Sequence, residues 1–192
     1  MDKAEAEAEA LSKDEIDKIN EFEASNKGIL LEYYVNLGEI DTIRLLLKHN
    51  PEYVDIYNTN YFGETPLFNA TETKNYEISK LLLENGADVN AGNFEDNTTS
   101  LMNCSFNNDI ETTKLLLQYN ADPDLTNKYG DTALHMACRE GYVEIVKLLL
   151  EHNANPYIEN KFMGANTPLK LALREGHQKI VSLLKEKMDE NN

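Results

Sequence analysis

Thr132, His135 and Cys138 fall within one short stretch and are the side chains of this chain best suited to chemistry. An imidazole near a thiol and a hydroxyl is the raw material of general-base and nucleophilic catalysis. The rest of the sequence gives that reading no support: it has no Walker-type glycine loop, no Gly-x-Ser-x-Gly elbow and no His-Glu-x-x-His helix. His49, His152 and His177 are scattered singly and read as surface residues. Cys104 and Cys138 lack the paired spacing of a zinc site and fit better as small apolar core residues. The abundant carboxylates read as solvated helix faces. The expectation is therefore no catalytic residue, no metal and no cofactor, with two thiols that suit a reducing compartment.

The elements that hold these residues recur. Leu45-Leu46-Leu47, Leu81-Leu82-Leu83, Leu115-Leu116-Leu117, Leu148-Leu149-Leu150 and Leu183-Leu184 begin 36, 34, 33 and 35 residues apart. A period in that range marks a solenoid, whose units cannot bury their apolar faces alone and must stack. Thr65 before Pro66 and Thr167 before Pro168 each place a capping hydroxyl ahead of a residue with a helical φ and no N–H, so each starts a short helix. Ala70, Ala137 and Ala172 fall at one position of that helix, where a small side chain lets the next unit approach closely; Cys104 and Cys138 occupy neighbouring alanine-type positions. A second helix carries the leucines and stops at a left-handed residue, supplied by Gly86, Asn50, Asn120 and Asn153. The Asn-, Asp- and Gly-rich stretches that follow read as turns and hairpin tips.

Gly63-Glu64-Thr65-Pro66-Leu67, the leucines, and Glu84-Asn85-Gly86-Ala87-Asp88-Val89-Asn90 together resemble an ankyrin repeat, as does Gly130-Asp131-Thr132-Ala133-Leu134-His135-Met136-Ala137 followed by Gly141-Tyr142-Val143-Glu144-Ile145-Val146-Lys147. The resemblance implies an all-α solenoid of about five stacked helix-turn-helix units with hairpin-like loops, near 27–59, 60–93, 94–126, 127–160 and 161–192. The third unit departs with Met102 and Asn108 where the family usually has His and Gly, and the first departs most, with Ile29-Leu30-Leu31-Glu32 in place of the Thr-Pro-Leu-His core. The resemblance also gives His135 a structural role, bonding Thr132 and tying the turn to the helix.

Residues 1–26 are expected to form an acidic tail and an N-terminal cap. The alternation from Ala4 to Ala10 is too polar to pack. Ser12-Lys13-Asp14-Glu15 fits a capping box, and Ile16, Ile19 and Phe22 share one face of a helix over 14–24 that would cover the open first unit. At the other end, charges from Lys185 to Glu190 solvate the last helix. The chain has no secretory signal pattern and no apolar run long enough for a membrane helix, so the expected location is cytoplasmic, with export as an effector left open.

With 18 basic against 34 acidic side chains and a net charge of −16, the molecule repels phosphate backbones and anionic headgroups, so neither nucleic acid nor membrane is the expected partner. The expected state is a monomer bound to a partner protein of unidentified kind. The resemblance implies binding through hairpin tips and the first-helix face that line a concave side. Carried over position by position, this places Tyr61, Phe62, Phe94, Tyr129, Phe162 and Met163 on the tips. Beside them on first helices stand Glu72, Phe106, Arg139 and Arg174. Exposed aromatics there are suited to anchoring a partner, and equally to packing on the next hairpin. The finger from Phe162 to Thr167 carries two extra residues. The favoured function is a non-catalytic scaffold or adaptor; the alternatives are an exported effector binding a host protein and a modified-substrate role, since Asn90 resembles the asparagine that certain oxygenases hydroxylate in ankyrin hairpins.

Overall fold

Threonine sets the pitch of the structure. In the computed structural model, which describes residues 29–55, 63–161 and 166–190, Thr65, Thr99, Thr132 and Thr167 each stand in extended backbone at a helix start. Each accepts a hydrogen bond from the N–H three residues on. A threonine at this place satisfies an N–H that the helix cannot, and so marks the first helix of the four repeats after the first. The pairs are α1 (Ile29–Leu37) with α2 (Ile40–His49), α3 (Pro66–Glu72) with α4 (Tyr76–Glu84), and α5 (Ser100–Phe106) with α6 (Ile110–Gln118). They continue with α7 (Ala133–Glu140) and α8 (Val143–Glu151), then α9 (Pro168–Arg174) and α10 (Gln178–Glu190). A 3-10 turn, Pro51–Asp55, follows α2.

The odd-numbered helices pack on one another in sequence to make an inner row, and the even-numbered helices make an outer row. Side chains from Leu31 to Leu184 form one continuous core. Ala70, Cys104, Ala137 and Ala172 are wholly buried at the same level of successive inner helices, which is why small side chains recur there. The last leucine of each triplet, Leu47, Leu83, Leu117 and Leu150, is buried against the stack, whereas Lys185 holds that position on α10 and is exposed. Leu173 differs from its counterparts in the same way. It is 50% exposed at the position where Thr71, Ser105 and Cys138 are sealed by a following repeat.

The outer helices end as the sequence predicts in three cases, with Gly86, Asn120 and Asn153 at φ 90°, 62° and 63°. Asn50 does not: its φ is −136°. It precedes Pro51, and the clash of a proline ring with the preceding residue keeps that residue at negative φ and out of the helical region. His177 corrects a second expectation. Rather than a surface residue, it is half-buried, bonds the Arg139 carbonyl at 3.1 Å and lies over Gly141, where any Cβ would strike its ring. His49 and His152 are exposed. The expected helix over 14–24 and the boundary at 26/27 lie outside the described residues. Among the described residues no helix is long and apolar enough to cross a membrane.

Candidate functional site

The loops between repeats project as fingers, and an asparagine begins each of three of them. Asn93 Oδ1 accepts the N–H groups of Asp96 and Thr98; Asn127 Oδ1 accepts those of Tyr129 and Asp131; Asn160 Oδ1 accepts that of Asn166. The span from asparagine to the farthest N–H it caps is five, four and six residues respectively. The last finger is therefore two residues longer than the one before it, as its sequence suggests. Neighbouring fingers are joined by backbone bonds, Lys128 N–H to the Asp96 carbonyl and Lys161 N–H to the Tyr129 carbonyl, both 2.7 Å. Fingers and inner helices thus form one continuous surface.

One opening on that surface lies above α7 and α9. It is a groove of about 450 Å³ lined by Tyr129, Asp131, Arg139, Asn160, Asn166, Leu171 and Arg174. Asp131 is buried at its floor. One carboxylate oxygen receives Arg139 at 2.8 Å and the other receives the Asn160 amide at 2.7 Å, so the carboxylate is held by the inner helix and by the start of the next finger at once. Arg139 keeps one face to the groove, and Arg174 is 54% exposed with its Nε donated to Glu175 at 2.8 Å.

The structure brings together three of the residues expected from sequence, Tyr129, Arg139 and Arg174. Phe106 holds the equivalent inner-helix position one repeat earlier than Arg139 and is 49% exposed, but it stands outside the groove. Phe94 lines a separate recess with Asn90 and Lys128. It is 68% exposed, yet its ring rests on the backbone of Gly63, where a Cβ would collide with it. It therefore packs on Gly63 and still faces solvent. Tyr61, Phe62, Phe162 and Met163 lie outside the described residues. Sequence reasoning missed Asp131, Asn160 and Leu171. The recurrence of asparagine at 93, 127 and 160 was the available signal for the finger framework.

His135, Cys138 and Cys104 have chemistry fixed by burial. His135 is fully buried; its Nδ1 accepts from Thr132 at 2.9 Å and its Nε2–H donates to the Asn166 carbonyl at 3.0 Å. Burial holds its pKa below the ordinary value, and both ring nitrogens are occupied in the neutral form. The two cysteines are unpaired thiols, wholly buried and pushed far up by desolvation, the opposite of what a nucleophilic thiolate needs. Asn90 is exposed, and its side-chain oxygen accepts the Asp122 N–H at 2.8 Å.

Comparison with known proteins agrees with this architecture. The family model described as Ankyrin repeats (3 copies) matches residues 8–93 and 101–192. A protein of Rickettsia bellii (strain RML369-C), named as an ankyrin repeat protein, is 32% identical over 71 residues, a match covering 35% of this chain and 42% of that protein.

Proposed function

The chain belongs to the ankyrin-repeat family, and from that premise we propose that it is a non-catalytic scaffold or adaptor that binds a partner protein through its concave face and finger tips. Ankyrin repeats are in general protein–protein interaction modules. The observation that carries the reading here is the groove between the last two fingers, where an aromatic ring, an aliphatic side chain and two guanidinium groups converge on open space. Interfaces concentrate binding energy in such aromatic and arginine anchors. Phe106 and Phe94 extend the exposed surface toward the earlier repeats. On the outer row, by contrast, Lys80, Lys114 and Lys147 pair with Glu84, Glu111 and Glu144 within their own helices, an arrangement that solvates a face.

The test is affinity capture from native lysate followed by calorimetry with the recovered partner. Phe94→Ala, Phe106→Ala and Tyr129→Ala should each cost roughly 1–4 kcal/mol of binding, and Lys80→Ala or Lys114→Ala should cost nothing. Binding that survives the aromatic truncations and fails with the lysine variants would move the site to the outer row and end this reading. A second reading, hydroxylation at Asn90, draws on the exposure of that side chain in a loop. A mass one oxygen above that of the unmodified chain, in protein from its native source, would support it.

A further inference from the structure

Arg139 and Arg174 occupy the same position in successive repeats, one residue past Cys138 and Leu173, yet they differ in the acidic side chain beside them. In the fourth repeat the residue just before the capping threonine is Asp131, and its carboxylate pairs with Arg139 at 2.8 Å. In the fifth repeat the same place before Thr167 is Asn166, a neutral amide. Arg174 therefore has no carboxylate of its own repeat on its groove side. Its one ion pair among the described residues is with Glu175, the adjacent residue on its own helix, through Nε. Its terminal nitrogens carry no bond to the described residues.

In the second repeat the pattern is reversed. Glu72 holds the arginine position and Glu64 the aspartate position, and Glu72's carboxyl sits above its ordinary range because of partial burial and then the nearby Glu64. An acidic group would be repelled from that end of the concave face and accepted at the other.

We propose that the groove above α7 and α9 binds a single carboxylate side chain of a partner protein, which pairs with the terminal nitrogens of Arg174 and supplies the charge that Asn166 lacks and Asp131 gives Arg139. The apolar neighbours of that carboxylate would lie on Tyr129 and Leu171, which line the same groove. The planar fork of a guanidinium matches a carboxylate with two parallel bonds. One charge fits better than two: Asp131 and Glu175 already offset the two arginines, and a net charge of −16 opposes a dianion such as phosphate. The proposal rests on the scaffold reading and sharpens it.

The chain has only three arginines, Arg44, Arg139 and Arg174, so their side-chain Nε–H signals form a small, assignable set in a nitrogen-15 NMR spectrum. The probe is the blocked tripeptide acetyl-Leu-Glu-Leu-amide, titrated into the millimolar range, with its glutamine counterpart and inorganic phosphate as the other arms. The glutamate peptide should shift Arg174 and, less, Arg139, while Arg44 on α2 stays still. Asn166→Asp should weaken the peptide by roughly fivefold, the upper end for an exposed ion pair, because it restores an internal carboxylate. Arg174→Gln should do the same, and unchanged backbone amide spectra in both variants would separate a lost site from a lost fold. An equal response to the glutamine peptide, a stronger one to phosphate, or full binding by Asn166→Asp would overturn the proposal. These outcomes leave the aromatic-truncation test untouched, so the pocket and the scaffold reading can fail separately.

Discussion

Leu116→Ala and Leu184→Ala together test whether the repeats are coupled as a linear stack. Both side chains are fully buried, so both lose the same transfer term, about 2 kcal/mol for the methylenes removed from the core. The cavity term distinguishes them. Leu116 lies on α6, flanked by α4 and α8 and backed by α5, so packed elements on both sides hold the void open. A void left near full size adds about 2 kcal/mol at about 24 cal/mol per Å³. Leu184 lies on α10, which among the described residues packs on α8 and α9 on one side only, so its surroundings can close inward. The expected losses are roughly 4 kcal/mol for Leu116→Ala and roughly 2–3 kcal/mol for Leu184→Ala. Urea melts followed by circular dichroism, with the slope of each transition compared, measure both. Equal losses, or a larger one at Leu184, would refute the argument, since identical burial would then outweigh position in the stack.

Stability should fall as pH drops through the ordinary histidine range. His135's depressed pKa means that the unfolded chain takes up the proton first, so its contribution is full above the ordinary value of 6.5 and is lost as pH falls toward its folded value. Urea midpoints measured at about pH 7.5 and about pH 5.5 should therefore differ in the wild type and converge in His135→Gln; the same slope in both would remove His135 from the account. Glu72 works in the other sense. Its raised pKa costs stability that builds as pH rises above the ordinary value of 4.5 and is full above the folded value, so Glu72→Gln should raise the melting temperature slightly at neutral pH and change nothing below 4.5. Deletion of residues 1–11 should be neutral in amide exchange, whereas deletion of 1–26 should speed exchange in α1, where Tyr33 and Leu37 are already more than half exposed; unchanged exchange would dismiss the N-terminal cap.

Local chemistry made much of the fold legible. The leucine period, the threonines at helix starts and the small residues at 70, 104, 137 and 172 each act within one repeat or between identical neighbours, so their spacing carried their meaning. His135 was legible for the same reason, since Thr132 lies three residues away. Asn50 was misread although its cause is local, because the proline after it outranks the asparagine's tolerance for a left-handed turn. His177 was misread because its partner, the Arg139 carbonyl, is 38 residues away.

By itself, the sequence determined the repeat, the helix pairs, the core positions and the side on which Tyr129, Arg139 and Arg174 would stand. Only the tertiary structure decided that these three share one groove while Phe94 and Phe106 fall outside it. Fingers of different length must first be set in register by bonds such as Lys161 to Tyr129 and Asn160 to Asp131. Periodicity places residues along the stack, because every repeat obeys the same local rules. Which side chains meet across two repeats depends on loop lengths and hydrogen bonds that differ from one finger to the next.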